Sequence, residues 1–168
     1  MALKSIADIK LENVWGKVSP ETKQEAIKFW VDEKVLSEEA AEQRADELLF
    51  IARDTDNKII AVSTAIKMRV KLLNDNLLYQ YRCFISPKAR VVGFDVHLTK
   101  LSLQFLEEVA KSEEVQKPIG VFVVVINPKL NTNKINNQAV WRAYKMYFIG
   151  FNTKGQPIRV YYFKGAKI

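Results

Sequence analysis

The segment Phe84–Leu101, with the sequence FISPKARVVGFDVHLTKL, contains residue types that bind phosphate groups. Its pattern predicts an apolar strand that ends before Pro87, a turn that carries Arg90 and Gly93, and then an amphipathic helix. The N-terminus of a helix presents backbone N–H groups and the positive end of its dipole to an anion. Because Arg90 and Lys88 add positive charge beside these amides, the segment predicts a phosphate-binding site.

Few other side chains of the chain suit nucleophilic or metal chemistry. The single cysteine, Cys83, excludes an internal disulfide and a cysteine-based zinc cluster, and the single histidine, His97, argues against a His-rich metal site. A lone cysteine in a strand is more often a small core residue than an acyl-carrying nucleophile. A lone histidine on a helix is more often a residue of its polar face than a catalytic base. We therefore expect no metal.

Charge is distributed unevenly along the chain, whose formal net charge is +7. Residues 1–60 contain 9 Lys/Arg against 13 Asp/Glu, residues 61–168 contain 17 against 6, and no acidic residue follows Glu114. A positive field from the C-terminal two-thirds suits a polyanionic ligand, either a nucleotide cofactor or nucleic acid. A basic surface that serves only solubility is the alternative interpretation.

The length of 168 residues and the hydrophobic content of 48% are typical of one folded domain, here residues 1–168. No apolar run reaches the ~18 residues of a membrane span. The N-terminal sequence MALKSIADIKLENV lacks the apolar core and the cleavage site of a signal peptide. We therefore expect a cytoplasmic protein with no membrane partner.

The first half of the chain predicts a weak strand over residues 5–14, followed by two helices. Ser19 and Ser37 are predicted N-caps, and the second helix would end near Asp46. The apolar stripe of the first helix would comprise Ile27, Trp30, Val31 and Val35.

Three strands should follow, because apolar and β-branched residues dominate 48–53, 59–70 and 77–85. The turn sequences DTDNK and NDN separate these runs, so consecutive antiparallel pairing is expected.

The second half predicts a helix, a strand, a helix and a strand. The buried stripe of the helix after Gly93, which should run to about Ser112, would comprise Phe94, Leu98, Leu101, Phe105 and Val109. Residues 120–126, GVFVVVI, predict a strand buried on both faces, 136–149 a helix stopped by Gly150, and 158–164 a last strand. The expected fold class is α/β (α+β), with a mixed, mostly antiparallel central sheet and helices on both faces.

This order of elements, with the motif PxxRxxG at the end of the third hairpin strand, resembles the GNAT N-acetyltransferase superfamily over residues 20–163. The turn motif of that family, Arg/Gln-x-x-Gly-x-Gly/Ala, is similar to Arg90-Val91-Val92-Gly93-Phe94-Asp95. The LLFIARDTDNKIIAVSTA hairpin, the buried strand GVFVVVI and a late helix that starts NNQAV and ends at Gly150-Phe151 also agree with it.

The resemblance implies an acyl-CoA-dependent N-acyltransferase, with acetyl-CoA or another acyl-CoA as cosubstrate and an amine as acceptor. Direct attack of the amine on the thioester is the implied reaction. The pyrophosphate would lie on the turn amides from Arg90 to Asp95, near Lys88, and the pantetheine arm would pair with the backbone of Cys83, Phe84 and Ile85. The implied cofactor-binding residues are Cys83, Phe84, Ile85, Lys88, Arg90, Val91, Val92, Gly93, Phe94, Asp95 and Asn136.

Two positions depart from the family pattern. Asp95 stands where the family has Gly or Ala, and its carboxylate would repel a pyrophosphate unless it serves only to stabilise the helix N-terminus. Met146 stands where family members commonly have the tyrosine that protonates the leaving thiolate. Tyr144 and Tyr147 flank this position as candidate acids, although both rings would serve equally well as packing residues.

A base for the acceptor amine is harder to identify, because no Asp or Glu occurs between Asp75 and Asp95. Glu47, just before the first hairpin strand, is the candidate carboxylate; water or a backbone carbonyl is the alternative.

A second function remains open, that of a GNAT-like module without catalysis that binds nucleic acid or a protein. The segment WRAYKMYFIGFNTKGQPIRVYYFKG interleaves basic and aromatic residues, which is typical of a stacking platform for single-stranded nucleic acid. The same aromatic residues are equally consistent with a helix and strand core.

Overall fold

A computed structural model of the chain describes residues 5–132, 134 and 136–168. Among these residues, the strands form one eight-stranded sheet. The helices and strands, in chain order, are β1 (Lys10–Asn13), α1 (Pro20–Asp32), α2 (Glu38–Ala45), β2 (Leu48–Arg53), β3 (Ile59–Val70), β4 (Asn76–Ile85), α3 (Phe94–Lys111), β5 (Gly120–Val124), α4 (Lys129–Thr132), β6 (Val140–Trp141), β7 (Met146–Phe151) and β8 (Pro157–Tyr162).

The strand order of the sheet is β1-β2-β3-β4-β5-β8-β7-β6. The β4–β5 ladder is parallel, and it pairs Tyr79 with Val121 and Gln80 with Phe122. The ladders β1–β2, β2–β3, β5–β8, β7–β8 and β6–β7 are all antiparallel. The predicted fold class, a mixed and mostly antiparallel sheet with helices, is therefore confirmed.

The chain divides into two compact units. Unit 1 comprises Met1–Ala65 and Arg82–Leu98, and unit 2 comprises Ile66–Tyr81 and Thr99–Ile168. Each unit has its own cluster of buried apolar residues. The organisation as a single acyltransferase domain stays a prediction.

In unit 1, α1 and α2 share one apolar cluster with β2 and β3. Both predicted caps are present, since Ser19 Oγ accepts a hydrogen bond from the Thr22 N–H at 3.2 Å and Ser37 Oγ accepts one from the Ala40 N–H at 3.3 Å. Trp30, 2% exposed, is the largest side chain of the cluster. All six residues of β2 are buried, which explains why the LLFIAR run shows no alternation.

Unit 2 contains the β5–β8–β7 part of the sheet and most of α3. Its apolar cluster comprises Val70, Leu73, Leu78, Phe122, Ile158 and Val160. Two tyrosine hydroxyls donate hydrogen bonds to glutamates of the α3 region: Tyr79 to Glu113 Oε1 at 3.2 Å and Tyr161 to Glu107 Oε2 at 3.0 Å. Burial, followed by the negative glutamate, raises the pKa of Tyr79.

The prediction of a helix over residues 136–149 is wrong. Val140–Trp141 is strand β6, Met146–Phe151 is strand β7, and Lys145 precedes β7 with a left-handed φ of 53°. Gly150 does not stop a helix but lies inside β7, with a φ of +143° next to a register shift in its pairing with β8. Pairing with β8, in which Tyr147 faces Val160, stabilises this segment as a strand despite its helical spacing of apolar residues.

The predicted stripe of α3 is correct at Phe94 and Leu98, both 0% exposed, but wrong beyond them. Leu101, Phe105 and Val109 are only half-buried. The fully buried positions are instead Ser102, Leu106 and Ala110, at 0%, 0% and 1%. A search for large apolar residues passes over Ser102 and Ala110, whose small side chains allow close packing. No helix of the described residues is long and apolar enough to cross a bilayer.

Several element ends also differ from the predictions. Only Lys10–Asn13 of residues 5–14 is a strand, because Ser5 caps a short 3-10 turn over Ile6–Asp8. Helix α1 ends at Asp32, since Lys34 adopts a φ of 57°, and Val31 and Val35 are exposed. The strand 120–126 ends at Val124, and Ile126 is 71% exposed rather than buried.

Candidate phosphate-binding turn and active-site residues

The predicted turn before α3 is present in unit 1 and has a defined geometry. The Phe94 N–H donates to the Val91 carbonyl at 3.1 Å, and Gly93 has a φ of +80°. An i to i+3 hydrogen bond with a positive φ at the third residue is the pattern of a type II turn, which requires glycine or asparagine at that position. Gly93 is therefore needed for the turn itself.

The turn leads directly into the N-terminus of α3, an 18-residue helix. The first helical hydrogen bond runs from the His97 N–H to the Gly93 carbonyl at 2.9 Å. Lys88 and Arg90 are exposed, and Val92 at the tip is 97% exposed. A Cβ placed on Gly93 would meet only Ile6 Cδ1, at 4.0 Å, so the glycine face is open. Helix dipole, turn amides and two exposed cations together suit a phosphate group.

Ser86 and Glu33 anchor the start of this turn, and no pattern in the sequence indicates either residue. The Ser86 hydroxyl donates to Glu33 Oε1 of the α1 C-cap at 2.8 Å, and the Ser86 N–H donates to the Ile60 carbonyl of β3 at 2.9 Å. Ser86 is only 4% exposed. No local pattern links residues 53 positions apart, so only the folded structure reveals this contact.

The three residues expected to pair with a pantetheine arm occupy the end of β4. The Phe84 ring packs against Phe29 with ring centres 5.6 Å apart and joins the apolar cluster of unit 1. Cys83 is exposed, so the expectation that it is a small core residue is wrong. Alternation along the strand places Cys83 and Ile85 on the face opposite Phe84.

Asp95 lies exposed in the first turn of α3, where an acid favours the positive end of the helix dipole. This position fits its stabilising interpretation. His97 is also exposed on this helix, as expected for a residue of the polar face.

Glu47, the predicted base, forms an ion pair with Arg82 in unit 1. Its Oε2 accepts a hydrogen bond from Arg82 Nη1 at 2.6 Å, and its side chain is 19% exposed. Burial, followed by the positive charge of Arg82, lowers the pKa of Arg44, and Glu47 opposes this shift. The ion pair with Arg82 therefore competes with proton abstraction by Glu47.

The remaining site candidates, Asn136, Tyr144 and Tyr147, belong to unit 2 and do not lie on a helix. Tyr144 is in the turn between β6 and β7, with its ring 5.9 Å from that of Trp141. Tyr147 is in β7, 48% exposed, with its ring 6.3 Å from that of Tyr162. Neither tyrosine is presented by a helix that ends at Gly150, and their role as acids stays a prediction.

Asn136 contributes its backbone to a buried arginine site that no pattern in the sequence indicates. Its carbonyl accepts hydrogen bonds from Trp141 Nε1 at 2.6 Å and from Arg159 Nη2 at 3.0 Å. Arg159 is 3% exposed, and its guanidinium lies over the Trp141 ring at 4.3 Å and 5.9 Å from the Phe148 ring. Burial lowers the pKa of Arg159. Among the described residues, no carboxylate pairs with it.

The predicted site residues therefore form two groups, one in each unit. Unit 1 holds Glu47 and the whole stretch from Cys83 to Asp95, whereas unit 2 holds Asn136, Tyr144 and Tyr147. Within unit 1, the end of β4, the turn with its two cations and the start of α3 form one strand–turn–helix junction.

No protein-family model and no curated protein sequence matches the chain. Solved structures do match it. The ribosomal-protein-S5-alanine acetyltransferase of Vibrio fischeri has a TM-score of 0.63 at 9% identity, covering 96% of both chains. NAA60 of Arabidopsis thaliana, in complex with acetyl-CoA, has a TM-score of 0.61 at 14% identity, covering 94% of this chain and 99% of that one.

A third similar structure, AtaTR bound with acetyl-CoA, has a TM-score of 0.62 at 12% identity, covering 96% of this chain and 97% of that one. A structure described as an acetyltransferase of the GNAT family, from Streptococcus pneumoniae, is also similar, with a TM-score of 0.61 at 10% identity. Identities this low establish the fold alone, and the chain has the fold of the GNAT acetyltransferases.

Proposed function

We propose that the chain is an acyl-CoA-dependent N-acyltransferase that transfers an acetyl group from acetyl-CoA to an amine. The observation that carries the proposal is the type II turn at Gly93, which opens the N-terminus of α3 directly after β4. Two proteins with the same fold were solved with acetyl-CoA, which supports an acyl-CoA as the cosubstrate.

The residues of unit 1 would bind and orient the cosubstrate. The turn amides near Gly93, with Lys88 and Arg90, would hold the pyrophosphate, and the backbone at Cys83–Ile85 would hydrogen-bond the pantetheine amides. Ser86, fixed by Glu33, would keep β4 and the turn in register. Acetyl-CoA supplies a thioester whose carbonyl carbon the acceptor amine attacks, and proximity would provide most of the rate enhancement.

Two proton transfers complete the proposed reaction. The departing thiolate takes up a proton, and Glu47 or water would accept one from the acceptor nitrogen. Since Arg82 already holds the Glu47 carboxylate at 2.6 Å, water is the simpler acceptor.

Thermal unfolding with acetyl-CoA tests the proposal. A ligand at about 100 times its Kd stabilises the native state by ~2.7 kcal/mol, which corresponds to a Tm increase of roughly 5–10 °C for a chain of this size. We expect Arg90→Ala to reduce this increase and Lys58→Ala, an exposed lysine in the β2–β3 turn of the same unit, to leave it unchanged. No Tm increase at 5 mM acetyl-CoA would overturn the proposal.

Release of the CoA thiol distinguishes an enzyme from a module that only binds. The acceptor panel should include polyamines, lysine peptides and a peptide with an N-terminal alanine, because one similar structure is named for alanine acetylation. Binding of acetyl-CoA without thiol release for any acceptor would support the non-catalytic alternative.

A further inference from the structure

A groove of unit 2 lies along the C-terminal half of α3, and two of the tyrosines that line it, Tyr144 and Tyr147, are also the predicted acids of acyl transfer. It consists of two cavities of about 680 Å³ and 240 Å³, which share Lys145 and Tyr161. We call it the α3 groove. The larger cavity falls in the ~300–1,000 Å³ range of ligand sites.

Tyrosine rings form much of the α3 groove. Tyr147 of β7 and Tyr162 of β8 line the larger cavity with ring centres 6.3 Å apart, and Tyr144 lines the smaller one. Tyr147 is 48% exposed, so its ring is accessible to a ligand. Accessible aromatic rings beside cations are the surfaces on which unpaired bases stack.

Positive charge surrounds these rings. The cations that line the two cavities are Lys100, Lys111, Arg142, Lys145 and Lys164. Of the two lining acids, Glu108 accepts a hydrogen bond from Lys111, and Glu107 accepts one from the Tyr161 hydroxyl at 3.0 Å and one from the Lys164 N–H at 2.7 Å. Five cations against two engaged acids leave the groove at +3, which is complementary to phosphates.

We propose that the α3 groove binds single-stranded nucleic acid, with bases stacked on Tyr147 and Tyr162 and phosphates bound by Lys145 and Lys164. A duplex would keep its bases inside the helix, out of reach of these rings. An acidic peptide would meet the same cations but offers no planar base for the tyrosines. None of the lining residues belongs to the phosphate-binding turn, so binding of nucleic acid does not require the acyl-CoA site, and Tyr144 and Tyr147 are the residues shared with the predicted acyl transfer site.

Fluorescence anisotropy with labelled 12-nucleotide oligo-uridine and oligo-thymidine tests binding to the full chain without acyl-CoA. Each phosphate contact on a single strand contributes about −0.7 to the slope of log K against log salt. Three contacts would weaken binding more than tenfold between 50 and 200 mM NaCl. The two oligonucleotides separate RNA from DNA as the preferred ligand.

Matched variants locate the binding site. Tyr147→Ala should raise the Kd at least fivefold. Phe151→Ala, which removes a 59% exposed ring from the same strand, should not change it. Lys145→Ala should weaken binding and reduce the salt slope, whereas Lys154→Ala, at the far end of the β7–β8 hairpin, should do neither. Tyr147→Leu repeats the test if the alanine variant folds poorly.

Three outcomes would overturn the proposal. They are no binding at 100 µM protein and 50 mM NaCl, equal losses for the groove and control variants, and equally tight binding of a duplex or of poly-glutamate of the same charge. Since no acyl-CoA is present, these outcomes leave the acyl transfer proposal unaffected, and the loss of that proposal leaves this one intact.

Discussion

The two units accommodate a buried arginine in different ways. In unit 1, Arg53 is 6% exposed and its guanidinium contacts Glu25 at 2.5 Å, Glu12 at 4.0 Å and the Asn57 carbonyl at 3.0 Å. In unit 2, Arg159 is 3% exposed and has two aromatic rings and two backbone carbonyls instead of a carboxylate. Its Nε has no hydrogen-bond partner among the described residues.

This difference follows from the distribution of charge. Unit 1 contains 12 Lys/Arg against 14 Asp/Glu, whereas unit 2 contains 14 against 5, a balance of −2 against +9. Unit 1 can therefore supply a carboxylate for a buried cation. Arg159 lies in the part of the sequence after Glu114, which contains no acidic residue. Ring quadrupoles and carbonyl dipoles therefore stabilise its positive charge instead of a carboxylate. The same excess of cations over acids gives the α3 groove its positive charge.

The largest expected effect comes from removing both acids around Arg53. The double variant Glu12→Gln/Glu25→Gln leaves a buried guanidinium with neither carboxylates nor aromatic rings, and should lower the free energy of unfolding by about 3 kcal/mol. Urea unfolding measures it as a shift in midpoint at constant slope. The control Asp32→Asn, which breaks the exposed pair with Lys28, should cost less than ~0.5 kcal/mol. Equal losses in both variants would contradict the comparison.

Removing a ring from Arg159 should have the next largest effect. Trp141→Leu deletes the closer ring and the hydrogen bond to the Asn136 carbonyl, and we expect a loss of about 2 kcal/mol. In an Arg159→Met background the same change should cost less, because the cation is gone; a double-mutant cycle measures this coupling. Zero coupling would show that Trp141 acts only by packing.

Alkaline pH should destabilise unit 2, because Tyr79, Tyr161 and Tyr162, the tyrosines whose pKa is raised, belong to it. Burial raises the pKa of Tyr79, so its stabilising contribution is complete below the ordinary tyrosine pKa of about 10 and is lost as the pH rises above it. Between pH 9 and 11, the wild type should lose ~1 kcal/mol more than Tyr79→Phe in urea unfolding. If the free energy of unfolding changes with pH in the same way in both proteins, the titration of Tyr79 does not contribute to the loss of stability.

The smallest expected effect concerns Asp95, the acid of the candidate phosphate turn. If its carboxylate repels the pyrophosphate, Asp95→Gly should tighten acetyl-CoA binding about fivefold, as measured by calorimetry. Asp95→Asn removes the charge alone and should give a similar gain. Both variants should lower the Tm slightly through the loss of the dipole interaction. Unchanged affinity in both would assign Asp95 to helix stability only.

Local signals in the sequence predicted the elements of unit 1 well. Ser19 and Ser37 cap the helices as expected, the three hairpin strands lie where their apolar runs predicted, and Gly93 opens α3. Each of these features depends on residues that are close together in the sequence, so the sequence alone suffices to recognise it.

The failures occur where distant residues compete with local preference. Residues 136–149 have helical spacing, but β8 offers Val160 and Arg159 as pairing partners, and the segment becomes β6, a turn and β7. The buried face of α3 includes Ser102 and Ala110, because small side chains allow close packing. A pattern of large hydrophobic residues does not identify these positions.

By itself, the sequence determined the strand–turn–helix junction at Phe84–Leu101, the order of the hairpin strands and the excess of positive charge after Glu114. Only the tertiary structure decided which groups meet: Ser86 with Glu33, Arg82 with Glu47, Arg159 with Trp141, and four tyrosines with the lysines of the α3 groove. The reason is that caps and turns depend on neighbouring residues, whereas these contacts join residues that only strand pairing and helix packing bring together.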